Sequence, residues 1–97
     1  MPGARKKQLE WSERSLLQLA AQFEYIIAEA LVSPEIVRQR LDRSLSLLQQ
    51  HPEIGVPGRR AGTRELLIKG SPLTLVYRVK PAKIQILAVL HQRQFYR

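Results

Sequence analysis

The chain has no cysteine among its 97 residues, which excludes disulfides and thiolate metal sites and fits a reducing compartment. It also lacks long apolar runs. The stretch Leu73 to Val79 is broken by Thr74 and Arg78 and is far too short to cross a bilayer. The basic start, MPGARKKQLEW, has no apolar segment behind it, so a secretory signal is not expected. No Gly-rich phosphate loop and no Ser-His-Asp ordering is visible. With two histidines forty residues apart, no metal site and no cofactor are expected. Acidic residues are nearly absent from one half. From Ile54 to Arg97 there are nine Lys and Arg and a single acid, Glu65, whereas Met1 to Glu53 balances seven against seven. The whole excess of +8 therefore sits in the C-terminal half. Clustered cations raise a local potential that draws in anions, whether RNA, DNA or an acidic protein.

What is present is a hydrophobic fraction of 44%, ordinary for a folded chain, in a length that suits one domain. A cytoplasmic protein with no membrane partner is the expectation, with residues 1–97 as the domain and Met1 to Lys6 a frayed end. Lys7 to Trp11 alternates, Leu9 and Trp11 on one side, and predicts a short half-buried strand. Ser12 is placed to cap a helix. Apolar residues then recur at Leu16, Leu19, Ala20, Phe23, Ile26, Ile27, Ala30 and Leu31, a helical stripe of about five turns. Ser33-Pro34 starts a second helix, with Ser33 as N-cap and Pro34 at the first helical position. Its stripe is Val37, Leu41, Leu45 and Leu48, and it must stop before Pro52.

Glu53 to Gly62 reads as an irregular loop holding Arg59 and Arg60. Three strands follow, joined by tight turns that force antiparallel pairing. In Thr63 to Lys69, Arg64, Leu66 and Ile68 share a face. In Leu73 to Val79, Leu73, Leu75, Tyr77 and Val79 share one. In Ile84 to Leu90, Ile84, Ile86, Ala88 and Leu90 are expected opposite Gln85, Leu87, Val89 and His91. The fold class is thus α+β: a short N-terminal strand, an antiparallel helical hairpin, and a three-stranded antiparallel meander with the helices packed on one sheet face.

These residues also carry a resemblance. The HPEIGVPGR loop, TRELLIKGSPLTLVYRV and the closing IQILAVLHQR occur in an order similar to the RelE/ParE superfamily of type II toxins. The specific pieces are Arg64-Glu65, Leu75-Val76-Tyr77-Arg78-Val79, and Leu90-His91 followed by Arg93. The resemblance implies a small basic toxin neutralised by a cognate antitoxin that wraps it. One branch cuts mRNA in the ribosome with a basic cluster and a C-terminal Tyr or His; the ParE-like branch acts on DNA gyrase without that cluster. Thr74 stands where RNase members carry a basic residue, and Gln92 where relatives often have Gly. The wording around Tyr77 is nearer to the ParE-like branch.

Chemistry remains open at this stage. Metal-free RNA cleavage needs an acid, a base and cations around the phosphate. His91, Arg78 and Arg93 are the candidate catalytic set, sharing one sheet surface if alternation continues; otherwise His91 simply ends a strand. Tyr96 is a candidate acid and Glu53 a candidate base, while His51 suits a helix C-terminus. For binding the target or antitoxin, the candidates are Arg59, Arg60, Arg64, Arg78 and Arg93. Arg64 has a structural alternative, an ion pair with a helical acid. Trp11, Phe23 and Tyr77 are expected in the core, and Phe95 and Tyr96 either cover the sheet end or anchor a partner. Three readings follow: a growth-inhibiting toxin that binds a target such as gyrase and is no enzyme, a ribosome-dependent metal-independent mRNA endonuclease, and a plain nucleic-acid-binding module.

Overall fold

The computed structural model describes residues 6–29 and 32–91. The expectations for Met1 to Arg5, Ala30, Leu31, Gln92, Arg93, Phe95 and Tyr96 lie outside these residues. The elements in chain order are β1 (Gln8–Trp11), α1 (Glu13–Glu29), α2 (Pro34–Gln50), β2 (Val56–Pro57), β3 (Arg64–Leu67), β4 (Leu73–Val79) and β5 (Lys83–His91). They form the α+β arrangement read from the sequence, with one enlargement: the meander is the middle of a five-stranded sheet of order β1-β5-β4-β3-β2. β1 lies parallel to β5, Leu9 beside Ile84 and Trp11 beside Ile86. All other pairings are antiparallel. The Glu53–Gly62 segment, expected to be irregular, contributes β2, where Val56 and Pro57 face Glu65 and Arg64.

One face of the sheet carries the core. Leu73, Leu75 and Tyr77 of β4, Ile84, Ile86 and Val89 of β5, and Ile68 pack with Ile26 of α1 and Val37, Leu41 and Leu48 of α2. Each such aliphatic side chain contributes about 1.5–3 kcal/mol relative to exposure. Trp11 and Phe23 are half-buried against this cluster. Three members of the expected α1 stripe are not: Leu16 is 51% exposed and Ile27 59%, and Ala20 is exposed too. The inward side of α1 runs instead through Ser15, Leu19, Phe23 and Ile26. The sequence pattern spans a broad apolar stripe, but α1 buries a narrower one.

The two helix starts differ. The Ser12 hydroxyl accepts from the Ser15 amide at 3.0 Å and donates to the Leu87 carbonyl at 3.2 Å. Its amide donates to the Ile86 carbonyl at 3.0 Å, so one residue joins β1, α1 and β5. Ser33 makes no side-chain cap; its hydroxyl turns to the Glu35 carboxylate, and its carbonyl receives the Ile36 and Val37 amides. Pro34, which has no amide hydrogen, opens that helix without a loss. Ser12→Ala is therefore expected to cost about 1–2 kcal/mol by urea unfolding, and Ser33→Ala well under 1 kcal/mol.

The last strand departs from simple alternation. Val76 pairs with Ala88, yet Tyr77 pairs with Ile86, so Leu87 is an extra residue in β5. Such a bulge switches the faces of everything beyond it. Ile84 and Ile86 point to the helices, and after Leu87 it is Val89 and His91, opposite Leu75 and Leu73, that do so. Ala88 and Leu90 go to the open face. The expected grouping of Ile84, Ile86, Ala88 and Leu90 on one face is corrected accordingly. Among the described residues, no strand lies beside the edge of β5 beyond Trp11, and α1 takes over: the Gln18 side-chain oxygen accepts from the Val89 amide at 2.9 Å. Among the described residues, no helix is long and apolar enough to cross a membrane.

Candidate functional site

The basic segment between α2 and β3 is held from below. Tyr77 is fully buried, and its phenol donates to the Pro52 carbonyl at 2.7 Å and accepts from the Gly55 amide at 3.0 Å. Burial pushes the phenol's pKa up from its ordinary value, while the Gly55 amide works in the opposite direction. The Arg64 guanidinium, through one nitrogen, donates to the carbonyls of Gly55 at 2.7 Å and Glu53 at 3.3 Å. That is a different partner from the helical acid considered from the sequence. Higher up, Gly58 donates to the Thr63 carbonyl at 2.8 Å, and Thr63 returns its amide and hydroxyl to the Arg60 carbonyl at 3.2 and 2.7 Å. The Arg59 amide reaches the Glu65 carboxylate at 3.2 Å, with the Arg59 guanidinium 3.7 Å from the same oxygen. The loop tip carrying Arg59 and Arg60 is thus a fixed turn bonded to β3.

This tip leans over the open face of the sheet. There, a depression of about 240 Å³ is ringed by Arg14, Arg59, Arg60 and Arg78, with Val76, Leu87, Ala88 and Leu90 as its floor and Thr63 and Glu65 at one side. Arg14, in the first turn of α1, received no role from the sequence. It arrives because Ser12 ties the start of α1 to the bulge at Leu87. Nothing in the local pattern around Arg14 marks it; only the β1–β5 pairing does.

Of the candidate catalytic set, Arg78 and His91 are not brought together. Arg78 pairs with Gln85 on the open face, whereas His91 pairs with Leu73 on the helix-covered face. The His91 ring meets the Tyr25 ring edge-on, centroids 5.2 Å apart and planes at 83°. Arg93 and Tyr96 lie outside the described residues. Thr74, where RNase relatives would have a cation, is buried between Leu67 and Leu90. Glu53 and His51 are exposed, and neither lines the depression. The one carboxylate of the open face with a displaced pKa, Glu10, is held low first by the Gln85 side-chain hydrogen bond and then by Lys83. A lowered carboxylate is a poor proton carrier near neutral pH. Among the described residues, no group of three or more acids and histidines could hold a metal ion.

A second concavity, about 420 Å³, opens between the helices. Trp11, Leu19, Phe23, Leu41 and Leu45 line it, with Arg38 and Asp42 at the rim. It is apolar where the first is charged.

Comparison with known proteins is consistent across sequence and structure. Residues 9–96 match the family model described as the ParE toxin of the type II toxin-antitoxin system, parDE. The chain is 30% identical over 89 residues to "Putative toxin Y4kP" of Sinorhizobium fredii, covering 92% of both chains. A solved chain from the chromosomal ParDE toxin–antitoxin system of P. aeruginosa superposes with a TM-score of 0.74 at 26% identity, covering 91% of this chain and 98% of that one. A chain of the RelBE2 toxin-antitoxin complex of Mycobacterium tuberculosis shares the fold, with a TM-score of 0.64 at 19% identity over 92% of this chain and 94% of that one.

Proposed function

Because this chain belongs to the ParE family of type II toxin–antitoxin toxins, we propose that it arrests growth by binding a cytoplasmic target through its open sheet face, without cutting RNA. One observation carries this reading: the bulge at Leu87 puts His91 and Arg78 on opposite faces. A nuclease needs its proton carrier and its phosphate-holding cations on the same scissile group. Among the described residues, the cations ringing the open-face depression have only the Glu65 carboxylate in the lining beside them, and Arg59 engages it, which is equipment for holding an anionic surface. DNA gyrase is the target we favour, in keeping with the ParE resemblance.

The cognate antitoxin is the second partner. The apolar groove between α1 and α2 suits one side of an amphipathic helix, whose burial would drive the association. An antitoxin segment disordered in isolation would fold as it entered.

The test compares two activities of the purified chain. DNA supercoiling by gyrase is expected to stop at stoichiometric toxin, while mRNA on translating ribosomes stays intact. His91→Ala is expected to keep growth arrest undiminished provided the fold survives, which far-UV dichroism reports. Codon-positioned cuts that vanish in His91→Ala would overturn the binding reading in favour of the endonuclease.

A further inference from the structure

We infer that the arginine-ringed depression on the open sheet face is a docking site for a protein segment that presents a carboxylate next to an aliphatic side chain. The inference rests on the reading that the chain acts by binding, and it specifies what is bound. The first argument is charge. The side chains of Arg14, Arg60 and Arg78 make no hydrogen bond or ion pair with the described residues, whereas Arg59 is engaged by Glu65. Three guanidinium groups, delivered by α1, the loop tip and β4, surround one hollow whose single carboxylate, Glu65, is engaged by Arg59. Their planar forks match a carboxylate or a phosphate equally well.

The floor decides between those two. Val76, Leu87 and Leu90 are half-buried, leaving an aliphatic patch at the centre of the ring. A nucleic-acid backbone would contact the rim and leave this patch wet. Among the described lining residues its bases would find no aromatic ring to stack on, and that stacking is where single strands gain sequence-tolerant affinity. An aliphatic side chain seated on the floor with a carboxylate reaching the rim satisfies both parts. Apolar centres ringed by charge are where binding energy concentrates in protein interfaces.

The experiment tests floor and rim separately. Rim variants Arg60→Gln and Arg78→Gln and floor variants Leu90→Asn and Ala88→Leu are induced in cells lacking the antitoxin, and growth arrest is scored against toxin level. Thermal unfolding and affinity for the purified antitoxin serve as fold controls. Ala88→Leu fills the hollow with an apolar group, so it remains informative if Leu90→Asn fails to fold. The expected result is that rim and floor variants alike need about tenfold more toxin for the same arrest. Loss in the rim variants with a silent floor would overturn the inference in favour of a polyphosphate ligand. A silent rim, or silence in both, would overturn it outright. Cutting of ribosome-bound mRNA by the unsubstituted chain counts against the binding reading itself, whereas a silent floor counts against this site alone.

Discussion

Tyr77→Ala is expected to remove most of the stability of this chain, about 4–6 kcal/mol by urea unfolding. Truncating a buried aromatic ring costs about 3–5 kcal/mol. The Gly55 amide, left buried without an acceptor, adds about 1 kcal/mol or more. Domains of this kind have only about 5–15 kcal/mol to lose. Tyr77→Phe separates the two contributions. The ring stays, and the lost hydroxyl leaves Gly55 and Pro52 unpartnered, for about 1–3 kcal/mol. The pH dependence carries its own signature. The folded pKa of Tyr77 is raised above the ordinary value of 10.0, so the unfolded chain gives up that proton first. This contribution to stability is complete below pH 10 and is lost as pH climbs through the raised folded value. Tyr77→Phe should lack that alkaline decline, which a stability profile from pH 8 to pH 12 would show. Equal alkaline curves for the two proteins would contradict the assignment.

Gly55→Ala is the second large effect, expected at about 2–4 kcal/mol. The backbone at Gly55 runs so close to β3 and β4 that an added Cβ would lie 2.7 Å from the Tyr77 hydroxyl oxygen and 2.8 Å from the Glu65 carbonyl oxygen. Both contacts are shorter than carbon and oxygen tolerate, so the loop or the phenol must move. Overpacking of this sort costs about 1–3 kcal/mol, and the displaced phenol gives up hydrogen bonds as well. Combining Gly55→Ala with Tyr77→Phe is a sharper test. One clash partner is then absent, so the double variant should lose less than the sum, by about 0.5 kcal/mol or more. Strict additivity would mean that the methyl group meets something else. Arg59 and Arg60 ride on the same loop, so Gly55→Ala should weaken growth arrest in proportion to how far the tip moves.

The sequence was legible wherever one period ruled. β4 has the boundaries expected from its Leu73-Leu75-Tyr77-Val79 alternation, and α2 starts at Pro34 and stops short of Pro52. Tyr77 was expected in the core, and its hydroxyl proved to be a buried linchpin. The bulge was not legible, for a physical reason. Leu87, Ala88, Val89 and Leu90 are all apolar, so no polar residue marks the point where the period slips. With the slip unseen, His91 and Arg78 were placed on one surface. β2 is two residues long, too short for any periodicity. For Arg64, a binding candidate, the structural alternative was an ion pair with a helical acid, because sequence pattern shows charges and not the carbonyls a turning loop leaves bare. The role of Arg14 depends on β1 lying beside β5, a pairing between residues some 75 positions apart that no local signal encodes.

That same pairing bears on when the molecule becomes dangerous. β5 is flanked by β1 on one side and β4 on the other, and it follows every other strand of the sheet along the chain. A nascent polypeptide emerging at about 5–20 residues per second therefore carries β1 with nowhere to lie until β5 is made. The arginine ring, whose members come from α1, the loop and β4, closes only then. A copy that stops short of β5 lacks the Leu87, Ala88 and Leu90 floor of the depression as well as the seat for its first strand.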